Sequence, residues 1–583
     1  MTESAGWATV LQRSALPVAM CFVLLPFAVA LAGLVGLEWY PTSDQALMML
    51  QIDAVGSSGT PLTGAWSRWG WDHPGPLLLW LLAPFTWVFG YVGMLVGMVT
   101  INAAAACGSL LVARRRGGRP LVIVVGALVV TFCFAQGPER LLDPWNPWAA
   151  VLPFLTFALL AWSVADGDLA AAPYLVVTGT FCVQVHLAYA LLVTGLSATA
   201  GVLAWVAYRG TRASQRRGGG RSVIVATIVG LLLWLPPIVQ QLFGDEGNLA
   251  AIVNFVRDPT EPAAGWQYAW GVLGTEVGLP GAWLSGGDSG DFDVRTSSAL
   301  GAVIVLTVMI TLGCVAARRG NRDAGCLAII AATATALAVV STSRVTGGAF
   351  SYVLRWWWVT TAIVWLSIAW SAFRLLPTRQ WQTGAVTLAM GVLVTLSVGL
   401  SWQASPPAVP EPIASATVAA MSPDVSAALA EEGRVMVTWA DRRGWGVAAT
   451  GLILDLHRRG HDVGVPESYR PFFEADMVVD PNAVDAALVI VGEDDLRTGF
   501  VPPTAAVVIA TYDPLSLADR DRVEALWDAV ARQVSPDSGL LPSDVDGTTG
   551  RERLRQAGVS ESALTELARL RAAGSAYTAV LTR

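Results

Sequence analysis

Residues 38–80 read EWYPTSDQALMMLQIDAVGSSGTPLTGAWSRWGWDHPGPLLLW. This polar stretch, with its acids, one Arg, one His and several Trp, is set between long apolar runs. An apolar run at 16–37 precedes it and two more, at 76–90 and 91–113, follow. A helix that spans a bilayer needs about 20 apolar residues, so residues 38–80 read as a loop held at a membrane face. The remainder of the chain fits that reading. It has 583 residues, 54% hydrophobic and 14% charged, with a mean hydropathy of +0.53; a soluble domain carries about 25% charged residues.

All 37 basic residues are Arg, which fits GC-rich codon usage. The net charge of −7 excludes a generic nucleic-acid binder and conceals a division. Residues 1–403 hold 21 Arg against 18 acids, whereas 404–583 hold 16 Arg against 26 acids and only three of the 25 Trp. The six Cys all lie in or beside apolar segments, and their spacing suggests neither a disulfide framework nor a metal site. The expectation is a polytopic α-helical membrane domain over 1–403, followed by a soluble α/β domain over 404–583.

Arg-rich loops stay on the cytoplasmic side. The clusters at 114–119, 209–221, 318–322 and 374–379 therefore mark that face, together with Arg13. All of them fall inside only if 76–90, which contains Pro84, Trp80 and Trp87, lies at the outer interface without crossing. The spans are then 16–37, 91–113, 119–136, 147–165, 172–186, 187–207, 222–241, 297–316, 324–342, 352–373 and 383–402. That makes about eleven transmembrane helices in a plasma-membrane protein, with the N-terminus cytoplasmic and the C-terminal domain extracytoplasmic.

In the tail, a Pro-rich linker at 405–412 leads into strands at 434–440, 462–466, 486–492 and 506–510. Helical spacing appears at 446–460, 517–534 and 559–573. Alternation of this kind predicts a mostly parallel sheet. Gly444, Gly446 and Ala449 form only a weak version of a nucleotide-binding turn; packing explains them as well.

Within the opening loop, Thr42 through Gln45 fit a capping box, with Thr42 as N-cap and Gln45 reaching back. Asp44 then occupies the first helical turn, where the macrodipole favours its anion. Asp53 is nine residues on, about 180° around the helix, so the two acids do not share a face. Asp44 is either a base or a capping acid. Downstream, Arg68, Asp72 and His73 form a polar anchor; His73 with Asp72 reads as a proton-transfer pair, a phosphate donor or structural packing. His186 sits at an outer turn, where it either lines a cavity or satisfies the turn. Asp245 and Asn248 in GDEGNL either contact sugar hydroxyls or cap a helix. Arg257 adjoins Asp258, a possible pairing partner. Arg344 and Arg355 flank a short outer loop, where a guanidinium suits phosphate or snorkels beside Trp356–Trp358.

These residues resemble the GT-C superfamily of multi-pass glycosyltransferases, which includes protein mannosyltransferases, aminoarabinose transferases and arabinofuranosyltransferase-type enzymes. Asp44-Gln45 lies where those enzymes have Asp-Glu, and His73-Pro74-Gly75-Pro76 resembles their His-Pro-Pro segment. WLPPIVQQLFGDEGNLAAIVNFV (234–256) looks like their span-to-loop boundary. The resemblance covers about the first 400 residues and departs at Gln45, where a second acid is missing. It implies an inverting transfer of a sugar, arabinofuranose or mannose, from a polyprenyl-phosphate donor to an extracytoplasmic glycan, lipid or protein. Asp44 is the expected base. Gln45, Asp53, Arg68, Asp72, His73, His186, Asp245, Asn248, Arg257, Arg344 and Arg355 are the expected substrate contacts, with no metal and no cofactor. A flippase for a lipid-linked sugar and a non-catalytic GT-C-like scaffold are the competing readings.

Overall fold

The computed structural model describes residues 15–209, 213–244, 247–279, 281, 294–441, 446–501, 506–533 and 539–583. The chain divides into two compact units. The first comprises Met1–Leu37 and Ala54–Pro410; the second comprises Glu38–Asp53 and Glu411–Arg583. The opening loop is thus shared. Its first part belongs with the tail and the remainder with the helical unit.

The chain begins with α1 (Ala15–Gly33), α2 (Ser43–Asp53), α3 (Leu77–Phe89) and α4 (Val92–Gln136). It continues through α5 (Val151–Ala165), α6 (Ala172–Val185), α7 (Ala190–Arg209) and α8 (Ala213–Phe243). Then come α9 (Asn248–Arg257), α10 (Gly265–Val277), α11 (Leu300–Arg318), α12 (Arg322–Ser343), α13 (Trp356–Leu375) and α14 (Arg379–Gln403). All but α2 belong to the first unit.

Among the described residues, nine helices are long and apolar enough to cross a membrane, against about eleven expected. Two physical reasons account for the difference. First, α4 counts once by length but breaks at Gly118, whose φ of +61° interrupts the helix. A Cβ on Gly126 would lie 3.6 Å from Leu110 Cδ2; along a straight helix those positions would stand roughly 24 Å apart. The two halves therefore fold back as a hairpin. Second, α6 has 14 residues, about 21 Å of helix, and falls below spanning length. The 13-residue α3 is also too short to cross a core of about 30 Å.

Every residue of α5 is buried, which makes it the centre of the first unit. By contrast, α8 and α14 expose Leu231, Leu232 and Leu388, as expected of helices whose outer faces meet lipid. Small residues set one close crossing. A Cβ on Gly313 of α11 would lie 2.4 Å from the Ala328 Cβ of α12, the close approach that small side chains permit between membrane helices.

Charged residues expected on the cytoplasmic face converge at one end of the bundle. Arg115 at the hairpin pairs with Asp168 at 2.7 Å, and Arg116 pairs with Asp166. Asp166 also meets Arg322, and Arg374 meets Asp323. The indole N–H groups of Trp162 and Trp370 donate to the Asp323 carbonyl and carboxylate. The hairpin turn, the α5–α6 turn, the start of α12 and the end of α13 thus share one polar cap.

The second unit contains α2 and then α15 (Pro412–Ala428), β1 (Val435–Ala440), α16 (Val447–Arg458), β2 (Val463–Gly464) and β3 (Ala486–Gly492). These are followed by α17 (Glu493–Arg497), β4 (Val507–Tyr512), α18 (Leu517–Ala531), α19 (Thr548–Gln556), α20 (Glu561–Arg571) and β5 (Tyr577–Thr582). The sheet order is β2-β1-β3-β5-β4. β1 pairs in parallel with β2 and β3, while β5 is antiparallel to both β3 and β4. Val435, Val437, Leu488 and Ile490 point into a core closed by Leu452, Ile453 and Leu456 of α16 and Val418, Met421 and Val425 of α15. A smaller core joins α18, α19 and α20 through Val523, Leu554, Leu564 and Leu567.

Candidate functional site

The first unit gathers polar side chains at the end where residues 61–76 fold back on the helices. Backbone pairing sets this loop: Gly64 N–H donates to the His73 carbonyl at 2.8 Å, and His73 N–H donates to the Ala65 carbonyl at 2.9 Å. Asn248, the first residue of α9, clamps it. The Asp72 N–H donates to Asn248 Oδ1, and Asn248 Nδ2 donates to the Asp72 carbonyl, both at 2.9 Å. The Asn248 amide thus bonds the loop backbone at both ends and does not cap α9, whose N-cap is Gly247. The Asp72 carboxylate accepts from Thr63 Oγ1 at 2.9 Å. Burial pushes its pKa up, and the Thr63 bond partly offsets this. Asp72 does not orient His73; the pairing suggested by their adjacency is absent from the contacts described.

His73 is 5% exposed and His186 7%. Their rings are 4.6 Å apart between centroids. The Leu187 N–H donates to His73 Nδ1 at 3.2 Å, which leaves the ring proton on Nε2. Burial, with His186 adding to it, holds the His73 pKa well below its usual value, so His73 is neutral. Nearby, Gln184 Nε2 donates to the Leu233 carbonyl at 2.7 Å. His186 Nδ1, Gln184 Oε1 and Tyr189 Oη are buried and find no hydrogen-bond partner among the described residues. Each such group carries a desolvation cost of about 1–3 kcal/mol unless something pairs with it.

Arg355 is 5% exposed. Its guanidinium lies over Trp148 and Trp358, 4.8 and 4.6 Å from the ring centroids, and donates to Ser351 Oγ at 3.2 Å. It also interacts electrostatically with Tyr189. Arg140 stacks on the same Trp148 ring at 4.1 Å and pairs with Asp143 at 2.6 Å. Two cations thus share one indole beside a small cavity lined by Asn102, Gln136, Arg140 and Trp148. Arg68 lies over Trp69 and Phe350, 4.7 Å from each centroid, and donates to the Gly348 carbonyl. Arg344 ends α12 with its side chain exposed, and Arg257 is exposed at the end of α9. Asp245 lies outside the described residues.

Asp44, Gln45 and Asp53 belong to the second unit. Asp44 occupies the first turn of α2 and is half-buried; Gln45 is buried. The expected capping box does not form. Thr42 Oγ1 has no partner among the described residues, and the Thr42 carbonyl instead accepts the Gln45 and Ala46 N–H groups. The reason is Ser43, which takes a left-handed φ of +51° and turns the chain into the helix. Asp53 is held by both nitrogens of the Arg458 fork, at 2.7 and 2.5 Å. Its carboxylate makes an internal ion pair. Among the described residues no group of three or more His, Cys, Asp or Glu is placed to hold a metal.

Sequence reasoning passed over Tyr189, Trp148 and Arg458. The first two carried a signal as aromatic residues beside His186 and Pro147 at span ends. Arg458 carried none, because its partner lies 405 positions away.

No protein-family model matches the chain, and no curated protein does. Similar solved structures include ArnT from Cupriavidus metallidurans in its apo state. It has 13% identity and a TM-score of 0.45, over 87% of this chain and 97% of that one. The same enzyme bound to undecaprenyl phosphate has 12% identity and a TM-score of 0.46, over 87% and 96%. The archaeal oligosaccharyltransferase AglB from Archaeoglobus fulgidus, in complex with an inhibitory peptide and a dolichol-phosphate, has 12% identity. Its TM-score is 0.45, over 99% of this chain and 89% of that one. Likeness at this level assigns neither an activity nor a site residue.

Proposed function

We propose that the chain is a membrane glycosyltransferase of the inverting type. In this reading it takes a sugar from a polyprenyl-phosphate donor, with arabinofuranose or mannose as the favoured sugars, and delivers it to an envelope glycan, lipid or protein on the outer face. The N-terminus is cytoplasmic and the second unit extracytoplasmic.

The observation that carries the reading is Arg355. A guanidinium almost fully withdrawn from solvent, at the end of an apolar bundle, is a functional-site candidate by default. Its setting of aromatic faces suits a planar guanidinium, and that group's fork matches a lipid-borne phosphate. Asp44, in the second unit, is the base in this reading on separate ground. It stands directly after the left-handed Ser43, and strained non-glycine backbone concentrates at functional positions.

The chemistry balances without a strong acid. The acceptor oxygen bonds to the anomeric carbon while the bond from that carbon to the phosphate oxygen breaks. The acceptor proton passes to Asp44, and the polyprenyl phosphate departs with its electron pair and its charge compensated by a cation.

The test is transfer by purified full-length protein from a panel of radiolabelled polyprenyl-phosphate sugars, with Arg355→Gln compared against wild type. A raised donor KM in the variant supports the reading. No transfer from any donor, with lipid-linked sugar instead crossing vesicles, replaces it with a flippase.

A further inference from the structure

The helix bearing Asp44 lies in sequence within the membrane half yet is packed as part of the tail. Tyr40, Leu47 and Leu50 rest on the tail core formed by α15, α16 and the sheet. At the entry to α2, the Tyr40 N–H donates to Ser415 Oγ of α15 at 2.8 Å. There Gly451 of α16 makes room for the chain: a Cβ at that position would lie 2.9 Å from the Pro41 carbonyl oxygen and 3.1 Å from Thr42 Cγ2. At the far end, Arg458 grips Asp53 through two charge-assisted hydrogen bonds, and both side chains are three-quarters buried. The final turns of α2 and α16 meet at that pair, and the segment entering α2 meets α16 further towards its start. The two helices therefore run in the same direction.

We propose that Arg458 is a positioning residue for Asp44, acting through Asp53, and that the tail serves the reaction by fixing the helix that presents this carboxylate. The proposal rests on the assignment of Asp44 as base. Its physical basis is the rigidity of an 11-residue helix anchored at both ends. Tyr40 to Thr42 are held against Ser415 and Gly451, Asp53 is held by Arg458, and Asp44 lies nine residues from that second anchor. The bidentate fork fixes rotation about the helix axis as well as translation, which a single ammonium contact does not. The left-handed Ser43 fits this arrangement, because such a conformation persists only where its surroundings over-determine it. Displacement of a reacting group by about 1 Å costs up to 100-fold in rate.

The experiment compares Arg458→Gln, Asp53→Asn, the double variant and the charge-exchanged pair Asp53→Arg with Arg458→Asp, all in the full chain. Three quantities are read: kcat, donor KM, and deuterium uptake over residues 40–53. The expected result for each single variant is a fall in kcat of about tenfold with donor KM unchanged and faster exchange in α2. The double variant should be no worse than either single, and the exchanged pair should recover most of the rate. Wild-type kcat in Arg458→Gln overturns the proposal, as does a loss that the exchanged pair fails to restore while its melting temperature matches wild type. If wild type transfers no sugar, the enzymatic reading itself fails. In that case unchanged exchange in Arg458→Gln still overturns the positioning, and accelerated exchange confined to α2 still supports it.

Discussion

His73 and His186 stack their imidazoles 4.6 Å apart between centroids, with 34° between the ring planes. The Leu187 N–H closes the arrangement by donating to His73 Nδ1. The pair joins the loop at 61–76 to the turn between α6 and α7, and it holds only while His73 is uncharged.

Stability should therefore fall with acidification. The folded-state pKa of His73 is depressed by burial, so below about pH 6.5 the unfolded chain takes up a proton that the folded chain refuses. The contribution is complete above that pH and shrinks as pH falls towards the folded value, by at most about 1.4 kcal/mol per pH unit. Asp72 has the opposite sign: its pKa is raised, so its contribution is lost as pH rises through its folded value. Thermal melts of the purified protein between pH 5 and 7 should show the slope, and His73→Phe should flatten it. An unchanged slope would refute the neutral pair.

Gly64 should not tolerate a side chain. An added Cβ would sit 2.7 Å from the Gly75 carbonyl oxygen and 3.1 Å from that of Gln184. Both are backbone atoms and have little freedom to retreat. Gly64→Ala should cost about 1–3 kcal/mol, read as a lower melting temperature with faster deuterium exchange over 61–76.

At the opposite end of the bundle, two acids should behave differently. Asp166 and Arg116 are both mostly buried, with 11% and 14% of their side chains exposed. Asp166→Asn removes the ion-pair partner of a mostly buried guanidinium and should cost about 3 kcal/mol. The Asp168 partner, Arg115, is half exposed, so Asp168→Asn should cost no more than about 1 kcal/mol. Unfolding of both variants in detergent checks the contrast; equal losses would contradict it.

Arg355→Lys should weaken donor binding although it keeps the charge. Lysine lacks the delocalised group that the guanidinium sets over both Trp148 and Trp358. A loss on the order of 1 kcal/mol, about fivefold in donor KM, is expected. Steady-state kinetics with varied donor provide the readout.

Much of this architecture was legible from local pattern. The placement of every Arg cluster on one face required a turn near residue 118, and Gly118 breaks α4 there. In the tail, the apolar run 486–492 coincides with β3, and 446–460 brackets α16. What escaped was non-local or conformational. β5 and the antiparallel half of the sheet depend on pairing choices that periodicity does not encode. α15 begins at the end of a Pro-rich stretch that reads as a linker. The capping box at Thr42 matched in residue type but yielded to the left-handed Ser43. The Asp53–Arg458 pair, separated by 405 positions, left no trace in local spacing, and so the membership of α2 in the second unit was hidden.

The most direct measurement of the central claim is sugar transfer by purified wild type and Asp44→Asn, with radiolabelled polyprenyl-phosphate arabinofuranose and mannose as donors. The account predicts transfer by wild type from one of these donors. In the variant it predicts a fall of about 100-fold or more in kcat, with donor KM little changed. Undiminished transfer by Asp44→Asn would contradict it.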